Sequence, residues 1–118
     1  MRGTLPKPTL VELDEYDINQ RIIEALTSVC SHAVLFSIVD ESKDAIKISQ
    51  ELQLSLSTVY KTLSQLRMLT LVTIEKFVFS DEGKKIKYYR SKIKSANISI
   101  NGDKPEVILY PLNNAIIE

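Results

Sequence analysis

The stretch that decides the fold is Ala45–Val72, AIKISQELQLSLSTVYKTLSQLRMLTLV. Ala45, Ile48 and Leu52 share one face of a short helix, three and four residues apart. Leu54–Leu56 breaks that spacing, and the hydroxyl of Ser55 or Ser57 is placed to cap a second helix by accepting from its unpaired amides. Val59, Leu63 and Leu66 then recur at i, i+4 and i+7, the buried stripe of that second helix. Two short helices with a tight connection form a helix-turn-helix.

Downstream of Leu71 the period changes. Val72, Ile74, Phe77 and Phe79 are strand formers, Asp81-Glu82-Gly83-Lys84 is a turn signal, and Lys85–Ile93 alternates Ile86 and Tyr88 with Lys87, Arg90 and Lys92. This reads as a β-hairpin with a charged tip, with one of Tyr88 and Tyr89 in the core. A further hairpin joins Asn97–Ile100 to Glu106–Tyr110 through Asn101-Gly102-Asp103-Lys104, because Asn-Gly favours a tight hairpin turn and Pro105 suits a strand start or edge. Upstream, Gly3, Pro6 and Pro8 oppose a helix, so residues 1–13 read as a flexible arm carrying Arg2 and Lys7. A helix is expected from about Asp14–Asp17, with Ile18, Ile22, Leu26 and Val29 as its stripe, widened by Ile23 and Cys30. Ala33–Val39 reads as a second, buried helix and Asp40–Asp44 as its exit loop.

The bulk numbers fit one domain: 118 residues, 44% hydrophobic and 25% charged. No apolar run approaches the roughly 20 residues of a membrane span. The N-terminus lacks the apolar core of a secretion signal, and the lone Cys30 excludes an internal disulfide framework. A cytoplasmic location is expected. Net charge is zero, with 15 basic and 15 acidic residues, yet Lys76–Lys94 carries seven basic residues against two acidic ones, a net +5 balanced by −5 elsewhere. A local field of that kind steers a polyanion at short range.

The pattern Ala45-x-x-Ile48-Ser49-x-x-Leu52-x-Leu54-Ser55-x-Ser57-Thr58-Val59-Tyr60-Lys61-x-Leu63-x-x-Leu66, followed by a basic hairpin, resembles the core of ArsR-like and related prokaryotic regulators, including archaeal ones. The resemblance covers about Ile18–Lys94 and is densest at Leu52–Leu66. It implies an α+β winged helix-turn-helix of three to four helices plus a β-hairpin wing over 14–94, with the extra C-terminal β-hairpin and tail at 95–118. It also implies a dimeric transcription regulator that binds double-stranded DNA. The recognition helix, about Ser57–Leu69, would enter the major groove, and the wing, about Phe77–Lys92, would follow the backbone or minor groove. Candidate DNA-binding residues are Ser55, Ser57, Thr58, Tyr60, Lys61, Thr62, Ser64 and Gln65 on the helix and Lys84, Lys85 and Lys87 on the wing. Against this, Ser57 or Thr58 would serve as a helix cap in any protein, and a lysine-rich hairpin also guards a strand edge. The alternatives are a winged-helix protein-interaction module and a non-specific chromosomal DNA binder.

Two features depart from the family pattern. Thr70 stands where glycine commonly joins the recognition helix to the next strand. The Cys-Val-Cys metal-sensing site of many ArsR members is missing, and only Cys30 and His32 remain, too few for a metal site in one chain. No metal, cofactor or catalytic site is expected. Cys30 reads as a small buried residue and His32 as a packing or capping group at a helix junction. The first helix is the preferred dimer surface, with the C-terminal hairpin extending the wing sheet or contributing.

Overall fold

The computed structural model describes residues 10–102 and 104–112. Four helices, α1 (Leu10–Thr27), α2 (Val29–Ser37), α3 (Ala45–Leu52) and α4 (Leu56–Met68), precede two hairpins, β1 (Val72–Phe79) with β2 (Lys85–Ser91), and β3 (Ile93–Asn101) with β4 (Lys104–Pro111). Three to four helices, a wing and an extra hairpin were expected, and that is the architecture found.

Two boundaries upstream differ from expectation. α1 starts at Leu10, so residues 10–13 belong to a helix and not to an arm; the prolines restrict only themselves and the residue before each. Residues 1–9 of the expected arm, and 113–118 of the tail, lie outside the described residues. The apolar stripe running to Val29 is also not one helix. Ser28 adopts an extended backbone and its hydroxyl accepts from the Ser31 amide, opening α2 afresh. Val29 is thereby turned outward, while Ile22, Ala25 and Leu26 face the core.

The remaining helix ends follow their chemistry. Asp44 caps α3, accepting from the Lys47 amide at 2.8 Å. Gln53 closes α3 in a left-handed conformation, φ 56°. Ser55 caps α4. At the other end of α4 the Thr70 amide donates to Arg67 O and the Leu71 amide to Leu66 O, each at 2.9 Å, with Thr70 at φ 60°. That paired closure needs one left-handed residue, the place glycine usually fills.

The core is built from Val34, Leu35 and Ile38 of α2 and its exit, Ile48 of α3, and Val59, Leu63 and Leu66 of α4, all essentially solvent-free. Each large side chain so buried contributes about 1.5–3 kcal/mol of transfer free energy. Val72 and Tyr89 from the root of the wing and Ile93 from the start of β3 close it. Of the two tyrosines it is therefore Tyr89 that is core.

The wing root is stitched to the α2–α3 connection. Lys43 and Tyr89 exchange backbone hydrogen bonds, and the Ser91 amide donates to Ile38 O. The Arg90 guanidinium donates to Val39 O at 2.9 and 3.1 Å, to Asp40 O, and to Glu75 at 3.0 Å. Within the wing, Ile74 pairs with Tyr89 but Lys76 pairs with Tyr88, so Glu75 is the extra residue of a β-bulge. Beyond it Phe77 faces Lys87 and Phe79 faces Lys85. Gly83, at φ 82°, makes the tip.

The C-terminal hairpin does not extend the wing sheet. β3 and β4 form a separate two-stranded sheet, tied to the body where the Lys92 amide donates to Leu71 O and the Leu112 amide to Lys92 O. One face aligns Ala96, Ile98 and Ile100 with Leu109, Val107 and Pro105. Ala96, Val107 and Leu109 are packed on the core cluster, whereas Ile98 and Ile100 project past it. The radius of gyration, 17.1 Å, exceeds the about 13.5 Å of a compact chain this long. Among the described residues no helix is long and apolar enough to cross a membrane.

Candidate nucleic-acid interface

α4 presents two faces. Val59, Thr62, Leu63 and Leu66 are buried, and Ser57, Tyr60, Lys61, Ser64 and Gln65 are exposed. Of the helix candidates, Thr62 is the one the structure removes. It is 5% exposed, with Oγ1 3.7 Å from Cys30 Sγ of α2. Its position explains this: three residues after Val59 and four before Leu66, it lies on their stripe.

The N-terminus of α4 is a hydroxyl cluster. Ser55 Oγ accepts from the Thr58 amide at 3.2 Å and donates to Thr58 Oγ1 at 2.8 Å, with Ser57 Oγ 3.3 Å away. The cap thus falls to Ser55, and Ser57 stays exposed. Lys61 and Ser64 lie near the middle of the open face.

Two grooves flank that face. One, of about 540 Å³, separates α4 and the start of α3 from the wing, and its walls carry Ile46, Tyr60, Lys84, Lys85, Lys87 and Tyr89. Asp44 and Glu82 also reach it, and Asp44 is occupied as a cap. The other, of about 480 Å³, runs between α1 and the end of α4 and holds Gln65 beside Arg21 and Glu24. The structure therefore gathers Tyr60 with Lys84, Lys85 and Lys87, the three candidate lysines of the wing, and sets Gln65 apart on the opposite flank.

The cations divide by what they do. Arg90 is committed to the wing root, and Lys43 is paired with Glu51 at 2.7 Å, which holds the Glu51 carboxyl below its ordinary value. Lys76 sits 5.1 Å above the Tyr88 ring and Lys85 4.0 Å above the Phe77 ring. Lys61, Lys84 and Lys87 make no ion pair with any described residue. Burial pushes the Tyr89 hydroxyl up from its ordinary value, and Tyr60 adds to this while Arg67 opposes it.

Sequence reasoning missed the exposed apolar residues of α3, α4 and the wing: Ile46, Leu56, Met68, Phe77 and Phe79. Met68 was within reach, being seven residues after Lys61 and so on the same face. The two phenylalanines were read only as strand formers.

His32 and Cys30 serve the helix junction. His32 Nδ1 donates to Leu26 O at 3.0 Å, and the ring lies 4.8 Å from that of Phe36. Cys30 is half-buried, not fully so.

The fold is a winged helix-turn-helix. Among solved structures the chain is similar to NolR from Sinorhizobium fredii, at 22% identity over 74% of this chain and 81% of that one, with a TM-score of 0.57. It is similar to a Mycobacterium bovis protein, Mb0332, at 19% identity over 77% and 75%, TM-score 0.54. That fragment is described as a homodimeric winged helix-turn-helix DNA-binding domain of a possible ArsR-family transcriptional regulator. HlyU from Vibrio cholerae is similar at 19% identity over 65% and 77%, TM-score 0.52. Neither protein-family models nor curated sequences give a match.

Proposed function

We propose that this chain is a cytoplasmic, homodimeric transcription regulator that binds double-stranded DNA in a sequence-specific way. The observation that carries the reading is the continuity between the open face of α4 and the groove whose far wall is Lys84, Lys85 and Lys87. α4 enters the major groove, where Ser57, Lys61 and Ser64 meet base edges and phosphates. The flanking phosphate strand lies in the groove between Tyr60 and the wing, against lysines that make no ion pair with any described residue. Thr58 and Ser55 set the N-terminus of the helix and leave its free amides toward a phosphate. The likeness in fold to a domain described as homodimeric and DNA-binding supports the same reading.

One recognition helix contacts too few bases for useful discrimination, so two copies act together. We assign the contact between copies to α1 and the uncovered end of the C-terminal hairpin. An isolated two-stranded hairpin is marginally stable unless its apolar face is covered, and Ile98 and Ile100 are uncovered in one chain.

The test is binding-site selection from random duplexes, followed by gel shifts with the wild type and the Lys61→Glu/Lys85→Glu variant. Selection of a palindrome, an affinity that falls steeply with salt and loss of binding in the variant are expected. Absence of binding at low salt, or an unchanged affinity in the variant, would overturn the proposal. Equal affinity for every duplex would replace sequence-specific regulation with general DNA coating.

A further inference from the structure

We propose that the tip of the wing is an aromatic wedge: Phe79, backed by Phe77, enters the minor groove beside the helix and partly unstacks one base step. This rests on the DNA-binding reading above.

The β-bulge at Glu75 makes the arrangement. On an unbroken strand, the side chains in register with Val72 and Ile74 would be Lys76 and Val78. One extra residue shifts the parity, so Phe77 and Phe79 fall opposite Lys87 and Lys85, on the face that Tyr89 occupies at the root. Lys85, Lys87 and Tyr89 border the groove toward Tyr60. The two rings therefore share the face of the wing that looks toward the DNA side of α4. The direction of the face is set by pairing alone, without any need for the wing to move.

Neither ring is accounted for by the core. Phe77 is 47% exposed and Phe79 67%. Lys85 covers part of the Phe77 ring from 4.0 Å, but among the described residues no ring or cation contact covers Phe79. Two large apolar groups at the end of a two-stranded ribbon suit contact with something apolar that is itself surrounded by negative charge. Lys85 and Lys87 lie opposite the rings across the ladder and Lys84 precedes them, against Asp81 and Glu82 in the turn, while Glu75 is taken up by Arg90. Charge complementarity thus selects a nucleic acid over an apolar protein surface. The ammonium groups meet the phosphates on either side of the minor groove and the rings meet the base edges between them. Apolar side chains inserted at a base step kink the duplex toward the major groove, which closes it further around a helix seated there.

The experiment uses the full chain and selected duplexes carrying the fluorescent base 2-aminopurine at successive steps flanking the helix site, with end-labelled duplexes reporting bend by energy transfer. Wild type is expected to raise 2-aminopurine emission at one flanking step and to shorten the end-to-end distance. Phe79→Ala should abolish both and weaken binding about tenfold, Phe79→Leu should restore part of each, and the thermal midpoint of both variants should match wild type because the ring is exposed. Tight binding by wild type with no change in emission or bend overturns the wedge and leaves the DNA reading standing. No binding to any duplex overturns both. Unchanged DNA binding by Phe77→Ala/Phe79→Ala with loss of self-association also overturns it, by making the rings a contact between copies.

Discussion

At the scale of single residues, Thr70 is the clearest case of chemistry at odds with conformation. A β-branched side chain at φ 60° is strained, and it persists because its amide and that of Leu71 close α4. Thr70→Gly removes the strain, at the cost of a freer unfolded chain and of the hydroxyl bond to Leu69 O. We expect a net gain of about 1 kcal/mol, read as a raised urea midpoint with unchanged slope. Tyr89 makes the second prediction. Its folded-state pKa lies above the ordinary 10.0, first because burial penalises the phenolate. The stability this implies is fully present below pH 10 and is lost as pH rises through the folded value. Urea midpoints measured at rising alkaline pH should therefore fall as Tyr89 ionises, and fall less in Tyr89→Phe. Thr62 marks a misreading at this scale: it was placed on the open face, although counting three residues from Val59 and four to Leu66 puts it on the buried stripe. The identity of Tyr89 as the core member of its pair was not legible, since adjacent strand residues differ only by register, which the partner strand fixes.

At the scale of elements, α3, α4, the wing and the second hairpin are readable from the sequence because each carries its own punctuation. Asp44 and Ser55 open the helices, and Gly83 and Gly102, both at positive φ, turn the hairpins. Ser55→Ala should therefore cost about 1 kcal/mol, seen as a lower thermal midpoint, with a matching loss of helical circular dichroism if α4 frays at its N-terminus. Two features resisted reading. The break at Ser28 sits inside a run of apolar residues that keeps helical spacing across it, so periodicity alone joins α1 to α2. The bulge at Glu75 inserts one residue without any glycine or proline to announce it, and every strand residue after it changes face. That is why Phe77 and Phe79 passed as ordinary strand formers and why the site's apolar component was invisible before the pairing was known.

At the scale of the whole molecule, zero net charge conceals an uneven distribution, and the structure refines it further. Arg90 leaves the apparent basic patch for the wing root, while Lys61, Lys84 and Lys87 remain unpaired with described residues. The C-terminal hairpin was legible as a hairpin, but its detachment from the wing sheet was not, because the turn of the chain at Lys92 has no local signature. Its face predicts the assembly. Ile100, 74% exposed, should tolerate Asp in a monomer, so Ile100→Asp is expected to leave folding intact while halving the mass measured by light scattering at micromolar concentration. An unchanged mass would remove the hairpin from the contact between copies.

The root of the wing carries a mechanical consequence. With backbone bonds from Lys43, Tyr89 and Ser91 and the Arg90 side chain fixed on Val39 and Asp40, the hairpin is a cantilever clamped at one end. Its compliance grows toward Gly83, so amide hydrogen exchange should slow steadily from tip to clamp. Cutting the clamp with Arg90→Gln should flatten that gradient before it changes the fold.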